Sequence, residues 1–500
     1  MTRVRRGQRP APRAVSFARL RHPFAPQGIF SEDEVAALHE AALELLETHG
    51  MRMLLPEARA VLKGAGALVE EDEKMVRIGR EIVEGALASA PKEWRLRAAN
   101  PAREQDYAPG AMLFSAGAGC PNATDRERGR RPGSLRDFDE ALILQQSFGA
   151  IHKLASSAEP QDVPAPLRHY AMMKSQLTLA DKPMFVYARG QKQVEQSFEM
   201  IRRGLGLSEA DWGEGVWAST VINTNSPRLL DIPMAQGILD FARAGQALII
   251  TPFCLMGAMA PVTVSGALVL QHAEALACLA LAQAARAGAP VSYGGFGSNV
   301  HMKSGAPAFG TLEHIRMQLG SGQLARHIGL PWRCGAGAAS NAPDAQAAQE
   351  NLMGLWGAML ANATLTIHAA GWLEGGLSFS YEQFVIDMEA VETLAELAMP
   401  FDRDMAMDAL AEVQPAGHFF AAAHTMARYA GAFREPLIAD LSNFGTWSEG
   451  GGKTAAERAT AGWKRRLAET PRPAGSDEIA ERLQPYIEAE SAAGGAPPVD

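Results

Sequence analysis

Eight short apolar segments, each followed by a helix-length amphipathic stretch, alternate without a break from residue 111 to residue 398. They are AMLFSAG at 111–117, IHKLASS at 151–157, PMFVYARG at 183–190, VWASTVIN at 216–223, ALIITPF at 247–253, PVSYGGFG at 290–297, LPWRCGAG at 330–337 and TLTIHAAG at 364–371. A strand that repeatedly gives way to a helix demands parallel pairing, because a parallel connection needs a crossover of a dozen or more residues. Eight such units predict an α/β fold, a closed (β/α)8 TIM barrel. Such barrels carry their active sites at the C-terminal ends of the strands. The search for function therefore narrows to eight strand tips.

The flanks predict a four-part chain: a disordered basic arm at 1–28, a helical N-terminal extension at 29–105, the barrel catalytic domain at 106–400 and a helical C-terminal extension at 401–500. In the first extension, Ser31 as cap, Glu34 at capping-box spacing and Gly50 as stop define a helix. The arm is either disordered or a contact in a homo-oligomer. Residues 491–500 read as a frayed end. With a formal net charge of −9, a nucleic-acid partner is not expected. The apolar helix at 265–288 carries Gln271, His272 and Glu274, so it reads as a crossover rather than a membrane span. Four cysteines without a CxxC pair, and a start without an apolar leader core, point to a reducing cytoplasm.

Side chains alternate along a strand, so each strand has one face toward the barrel axis and one toward the helices. In the last segment Thr364, Thr366 and His368 share a face, and the apolar pair Leu365 and Ile367 should meet the helices. That leaves His368 pointing inward at the mouth. The same count puts Asn223 at the mouth, on the face shared with Trp217, Ser219 and Val221. It also groups Phe185, Tyr187 and Arg189 on one face. Beyond the tips lie Glu159, Phe253, Tyr293, Phe296, Asn299, Trp372 and Glu374.

Each candidate also has a plain structural reading. His368 either takes part in a reaction or satisfies backbone carbonyls. Asn223 shapes a turn in Asn223-Thr224-Asn225-Ser226-Pro227 as readily as it binds a ligand. Glu374 suits a helix terminus, Glu159 a loop, and Tyr293 with Phe296 a packed lid. No metal site is expected, since His301 and His314 stand apart from any HxH, HExxH or Cys/His cluster. Gly117-Ala118-Gly119 and Gly335-Ala336-Gly337 are weak phosphate-loop candidates, without a neighbouring Lys or Arg in the loop.

Several longer stretches carry a resemblance: NATDRERGRRPGSLRDFD at 122–139, DKP at 181–183, GAMAPVTVSGALVLQHAEALA at 257–277, GAPVSYG at 288–294, PDAQAAQE at 343–350 and GWLEGGLSFSYEQFVIDME at 371–389. In these stretches, and in their order from about residue 30 to residue 470, the chain resembles the trimethylamine methyltransferase (MttB) superfamily. The resemblance implies a (β/α)8 barrel that moves a methyl group from a methylated amine to the cobalt corrinoid of a separate carrier protein. No cofactor is then expected to be bound tightly by this chain. Family members acting on trimethylamine carry pyrrolysine before the PDAQ-like motif, at a position that falls near Gly337 here. The stretch CGAGAASNAPDAQ at 334–346 has only standard residues. The chain thus resembles the non-pyrrolysine, glycine betaine methyltransferase-like branch, which favours quaternary amines.

The chemistry agrees with that branch. A quaternary ammonium already carries its positive charge, so loss of one methyl expels a neutral tertiary amine and no general acid is needed. The protein must hold the cation still and exclude water. Aromatic faces do this without offering a nucleophile. The expected site therefore has His368, Glu374 and Asn223 as catalytic residues. Phe253, Tyr293, Phe296, Trp372, Arg189 and Glu159 are expected to bind the substrate. The competing readings are a barrel lyase or isomerase acting on a phosphorylated small molecule at Gly335–Gly337, and a non-catalytic binding protein.

Overall fold

The computed structural model describes residues 16–499. Its centre is an eight-stranded sheet: β1 (Leu20–Arg21), β2 (Ala111–Phe114), β3 (Met184–Phe185), β4 (Ala218–Ile222), β5 (Ala247–Ile250), β6 (Val291–Gly294), β7 (Trp332–Gly335) and β8 (Leu365–Ile367). The strand order is β1-β2-β8-β7-β6-β5-β4-β3. From β2 to β3 in that order every pairing is parallel; β1 joins β2 antiparallel. Seven of the eight expected segments form strands of this sheet. They are continuous apolar runs because both faces are covered. Leu248, Ile250, Val291, Trp332 and Cys334 join the core under the helices. Ala111, Leu113, Ala247, Ile249, Leu365 and Ile367 form a second, inner cluster. The hairpin of Trp94–Leu96 with Gln105–Tyr107 adds Leu96 and Tyr107 to that inner cluster, and Tyr107 hydrogen-bonds Ser292 at 2.8 Å.

The expected strand at 151–157 is not one. It is held instead by scattered bonds: the N–H of His152 donates to the carbonyl of Phe114 (2.9 Å), the N–H groups of Gly119 and Cys120 to the carbonyls of Ser156 (2.8 Å) and Ser157 (3.2 Å), and on the other side the N–H of Leu154 to Pro183 (2.9 Å). Pro183 has no N–H to return, which stops a reciprocal ladder on that side. The amide of Gln145 replaces part of it, donating to the carbonyl of Ala155 (3.0 Å) and accepting from its N–H (2.8 Å).

The flanks differ from expectation in three ways. Residues 1–15 of the basic arm lie outside the described residues. The rest of the arm is not loose: β1 pairs with Met112 and Ala111, and His22 bonds the carbonyl of Ala363 at 2.8 Å. The N-terminal extension is not purely helical. Its helices Glu32–Thr48, Pro56–Gly64 and Arg80–Ser89 are interleaved with strands Met51–Met53, Leu68–Glu70 and Met75–Arg77. Met51 and Met53 are buried on either side of exposed Arg52, the alternation of a half-buried strand. Leu229–Leu230, just beyond β4, completes that small sheet. The capping box of Ser31 and Glu34 forms as expected.

The C-terminal end is docked rather than frayed. Ala496 donates to the carbonyl of Pro166 (3.0 Å) and Val499 to that of Arg189 (3.1 Å). Among the described residues one helix, Val264–Ala285, is long and apolar enough to cross a membrane, but it is largely buried inside the fold. Five helices pack on it, Glu32–Thr48, Pro56–Gly64, Arg80–Ser89, Ile232–Ala244 and Leu312–His327.

The clamp on 151–157 gives a first test. Replacing Gln145 by Leu removes three buried hydrogen bonds, two to the peptide groups of Ala155 and one to Ser157 Oγ, which should cost about 2–4 kcal/mol. Denaturant unfolding of Gln145→Leu measures it; an unchanged midpoint would contradict the clamp.

Candidate active site

At the C-terminal ends of the strands a cavity of about 450 Å³ opens to the surface. It collects most of the expected residues: Phe253, Phe296, Trp372, His368, Asn223 and Arg189 all line it. Phe185 and Tyr187, on the face shared with Arg189, line it too. Among the described residues no aspartate or glutamate lines it.

His368 reaches the cavity by a different route from the one its strand position suggests. Leu365 and Ile367 belong to the inner cluster, and Ile367 lines the cavity, so the inward face of β8 is the apolar one. Thr364 and Thr366 face the other way, Thr366 toward Cys334. The face assignment from alternation is therefore inverted, because the interior of the sheet is itself apolar. Simple alternation would turn His368 away, but its φ of +60° breaks the extended backbone at the tip. The ring then stacks on Trp372 with centroids 4.5 Å apart. Its Nδ1 accepts from the N–H of Ala118 at 3.2 Å. Burial, reinforced by the nearby Arg333, holds its pKa well below the ordinary histidine value, so the ring is neutral.

The aromatic wall is narrower than expected. Phe253 packs against Phe296 at 5.4 Å, and Phe296 against Trp372 at 5.6 Å. Tyr293 is not part of it. It lies within β6 rather than beyond its tip, and its hydroxyl faces the helix behind, 3.1 Å from His272 Nδ1. Asn223 stands exposed at the rim. The turn after it is held by buried Glu274, which accepts from Ser226 Oγ (2.6 Å), the N–H of Arg228 (2.6 Å) and Thr224 Oγ1.

Both acidic candidates are committed elsewhere. Glu374 is bound by Arg130 at 3.0 Å and accepts from Ser378 at 2.7 Å. Glu159 accepts from Arg168 at 2.7 Å and from Arg189. Its contribution to the site is to fix the guanidinium of Arg189.

Arg333 was not among the expected residues. It lines the cavity, is only 2% exposed, and sits over Phe296 with Cζ 5.1 Å from the ring centroid. Its Nη2 lies 3.3 Å from His368 Nε2. Burial lowers its pKa to about 10, which still leaves it charged at neutral pH. The available signal was an arginine in the middle of the apolar strand LPWRCGAG, sharing its face with Gly335.

Neither glycine loop is free to cradle phosphate. The N–H of Gly337 donates to Asn351 (2.7 Å), that of Ala338 to the carbonyl of Trp372 (3.0 Å), and those of Ala339 and Ser340 to Glu350 (2.8 and 3.0 Å). The N–H groups of Gly117 and Gly119 donate to the carbonyls of Ala370 and Ser156, both at 2.8 Å. Gly337 has φ +100°, and a Cβ there would collide with the Trp372 ring. No side chain fits at this position.

The sequence profile of the family described as trimethylamine methyltransferase (MTTB) matches residues 2–495. The chain belongs to the trimethylamine methyltransferase family. It is 34% identical over 464 residues to the glycine betaine methyltransferase of Desulfitobacterium hafniense strain Y51, covering 92% of this chain and 96% of that protein. With the trimethylamine methyltransferase MttB of D. hafniense strain DSM 10664 / DCB-2, identity is 28% over 437 residues, or 86% and 87% of the two chains. The crystal structure of the Methanosarcina barkeri monomethylamine methyltransferase (MtmB) aligns with a TM-score of 0.43 and 8% identity, covering 92% of this chain and 94% of that one. The enzyme is a methyltransferase.

Its buried histidines make this methyltransferase acid-sensitive. Burial lowers His152 to about 3 and His314 to about 4, and His368 shares the direction. In the unfolded chain all three take up protons as pH falls through about 6.5. The folded state binds fewer protons there, so their contribution is full above about 6.5 and is lost as pH falls toward the folded values. Denaturation midpoints should drop between pH 7.5 and pH 5.5; equal midpoints would contradict neutral burial.

Proposed function

We propose that this enzyme takes a methyl group from a quaternary amine of the glycine betaine type and passes it to the Co(I) corrinoid of a separate carrier protein. The observation that carries the reading is the cavity's composition: aromatic walls, a neutral histidine and, among the described residues, no carboxylic acid to protonate a leaving group. A quaternary donor needs no such acid, whereas trimethylamine does. The collision at Gly337 supports the same choice, since an activating side chain has no space there.

The residues divide the work as follows. Phe253, Phe296 and Trp372 hold the ammonium by ring faces, at about 0.5–2 kcal/mol for each ring engaged. His368, stacked on Trp372, fixes that ring and closes the cavity beneath it. Asn223 presents its amide at the rim, and Glu274 sets the turn that carries it. Arg189, held by Glu159, guards the opposite side. Glu374 positions the loop behind Trp372 through Arg130 and Ser378 rather than taking part in the reaction. The carrier's corrinoid supplies the nucleophile that accepts the methyl group. The rim suits a flat macrocycle: Gly119, Gly375 and Gly376 raise no side chains there, and Leu377 is exposed.

The same reading takes the sheet as a (β/α)8 barrel closed through 151–157, whose hydrogen bonds reach both Phe114 and Pro183. It keeps the division into arm, N-terminal extension, catalytic barrel and C-terminal extension. A cytoplasmic setting suits the four free, buried cysteines. Phe420, Tyr429 and Phe433, exposed in the C-terminal extension, offer apolar surface for a homo-oligomer.

The test mixes the enzyme with Co(I) cobalamin and a panel of betaines, carnitine and methylamines, following methylation of cobalt by its absorbance. A quaternary amine should be the best donor and trimethylamine a poor one. Comparable trimethylamine turnover, or no quaternary donor at all, would overturn the reading. In Phe253→Ala the amine should bind more weakly by about 0.5–2 kcal/mol, with the fold unchanged.

A further inference from the structure

We propose that Arg333 and the Nε2–H of His368 form a carboxylate seat in this cavity, restricting the enzyme to quaternary amines that also carry a carboxylate. The inference rests on the reading that the cavity binds the methyl donor, and it names the group that selects among donors.

The first ground is an uncompensated charge. Arg189, the other arginine of the cavity, is paired with Glu159. Arg333 is buried and has no carboxylate partner among the described residues. Its Nε and Nη1 find no hydrogen-bond acceptor. A buried guanidinium left in this state is costly, and a bound anion relieves it.

The second ground is a conflict of donors. The backbone N–H of Ala118 can only donate, so Nδ1 of His368 must accept and the ring proton sits on Nε2. Nε2–H then faces Arg333 Nη2 at 3.3 Å, donor against donor. A neutral imidazole cannot accept at both nitrogens. An oxygen anion placed between the two groups accepts from both and resolves the conflict. The planar guanidinium lies over Phe296 with Nε and Nη1 enclosed, and its Nη2, beside His368, is the charge-assisted donor placed for a carboxylate oxygen.

The third ground is repulsion. A simple ammonium cation entering the same cavity meets Arg333 with no anion to offset it. A zwitterion does not: its carboxylate meets Arg333 and His368 while its ammonium meets the rings of Phe253 and Trp372. Trimethylamine, choline and tetramethylammonium lack the first half of that fit.

Glycine betaine and choline test the seat, because they share the trimethylammonium group and differ by the carboxylate. Calorimetric binding to the wild-type enzyme, without carrier, should favour glycine betaine over choline by about 30-fold or more. Arg333→Gln should weaken betaine by a similar factor while changing choline by less than about threefold. Arg333→Lys should recover only part of the loss, since an ammonium lacks the guanidinium's fixed donor direction. Circular dichroism and melting of each variant check the fold. If Arg333→Gln does not fold, the wild-type preference decides alone. Equal binding of choline, or wild-type betaine binding in Arg333→Gln, overturns the seat. Choline demethylated as well as betaine overturns the seat while leaving methyl transfer standing. If no quaternary amine binds or reacts, the functional reading itself fails.

Discussion

Three glycines make room for one tryptophan. Gly117 follows β2, Gly337 follows β7 and Gly376 lies in the loop after β8, and a Cβ on any of them would press on Trp372. Trp372 in turn stacks on His368, whose left-handed backbone aims the ring across the cavity. The site's shape depends on this close packing of bare backbone against an aromatic face. It also settles what cannot be there, since the packing that seats Trp372 fills the space a side chain at residue 337 would occupy. The absence of room for an activating group at that position is in keeping with the proposed donor, one that is already activated.

Electrostatics point the same way. The carboxylates nearest the cavity, Glu159 and Glu374, are spent on Arg168, Arg189 and Arg130. Glu274 is spent on a turn. What remains facing the cavity is aromatic surface, the neutral polar groups of Ser156, Asn223 and Thr251, and the charge of Arg333. Such a site does little acid–base work at neutral pH, because His368 is held neutral by burial and by Arg333. Its capacity lies in orientation and exclusion of water, which is what transfer of a methyl group from an ammonium to an external nucleophile requires.

Much of the frame was legible in the sequence because a parallel strand buried on both faces leaves a plain signature, an apolar run such as ALII at 247–250. Position at a tip was enough to bring Asn223, Phe253, Phe296 and Trp372 to the lining of one cavity. Face assignment was not. The rule that apolar residues meet the helices failed in β8, where Leu365 and Ile367 line an apolar interior, and His368 reaches the cavity despite it through a backbone turn that no periodicity encodes. Tyr293 was misplaced by taking the tip of β6 too early. Segment 151–157 has the composition of a strand, but Pro183 opposite it denies the return hydrogen bond. The short strands of the N-terminal extension hid between strong helices, and Arg333 hid in a strand that otherwise reads as core.

The central claim is that the strand-tip cavity seats the methyl donor, and a crystal structure of the enzyme soaked with glycine betaine tests it most directly. The account predicts betaine inside the cavity, with its nitrogen within about 6 Å of the ring centroids of Phe253 or Trp372 and a methyl group toward the rim at Asn223. Betaine bound elsewhere, or a cavity that stays empty at saturating betaine while the enzyme turns it over, would contradict it.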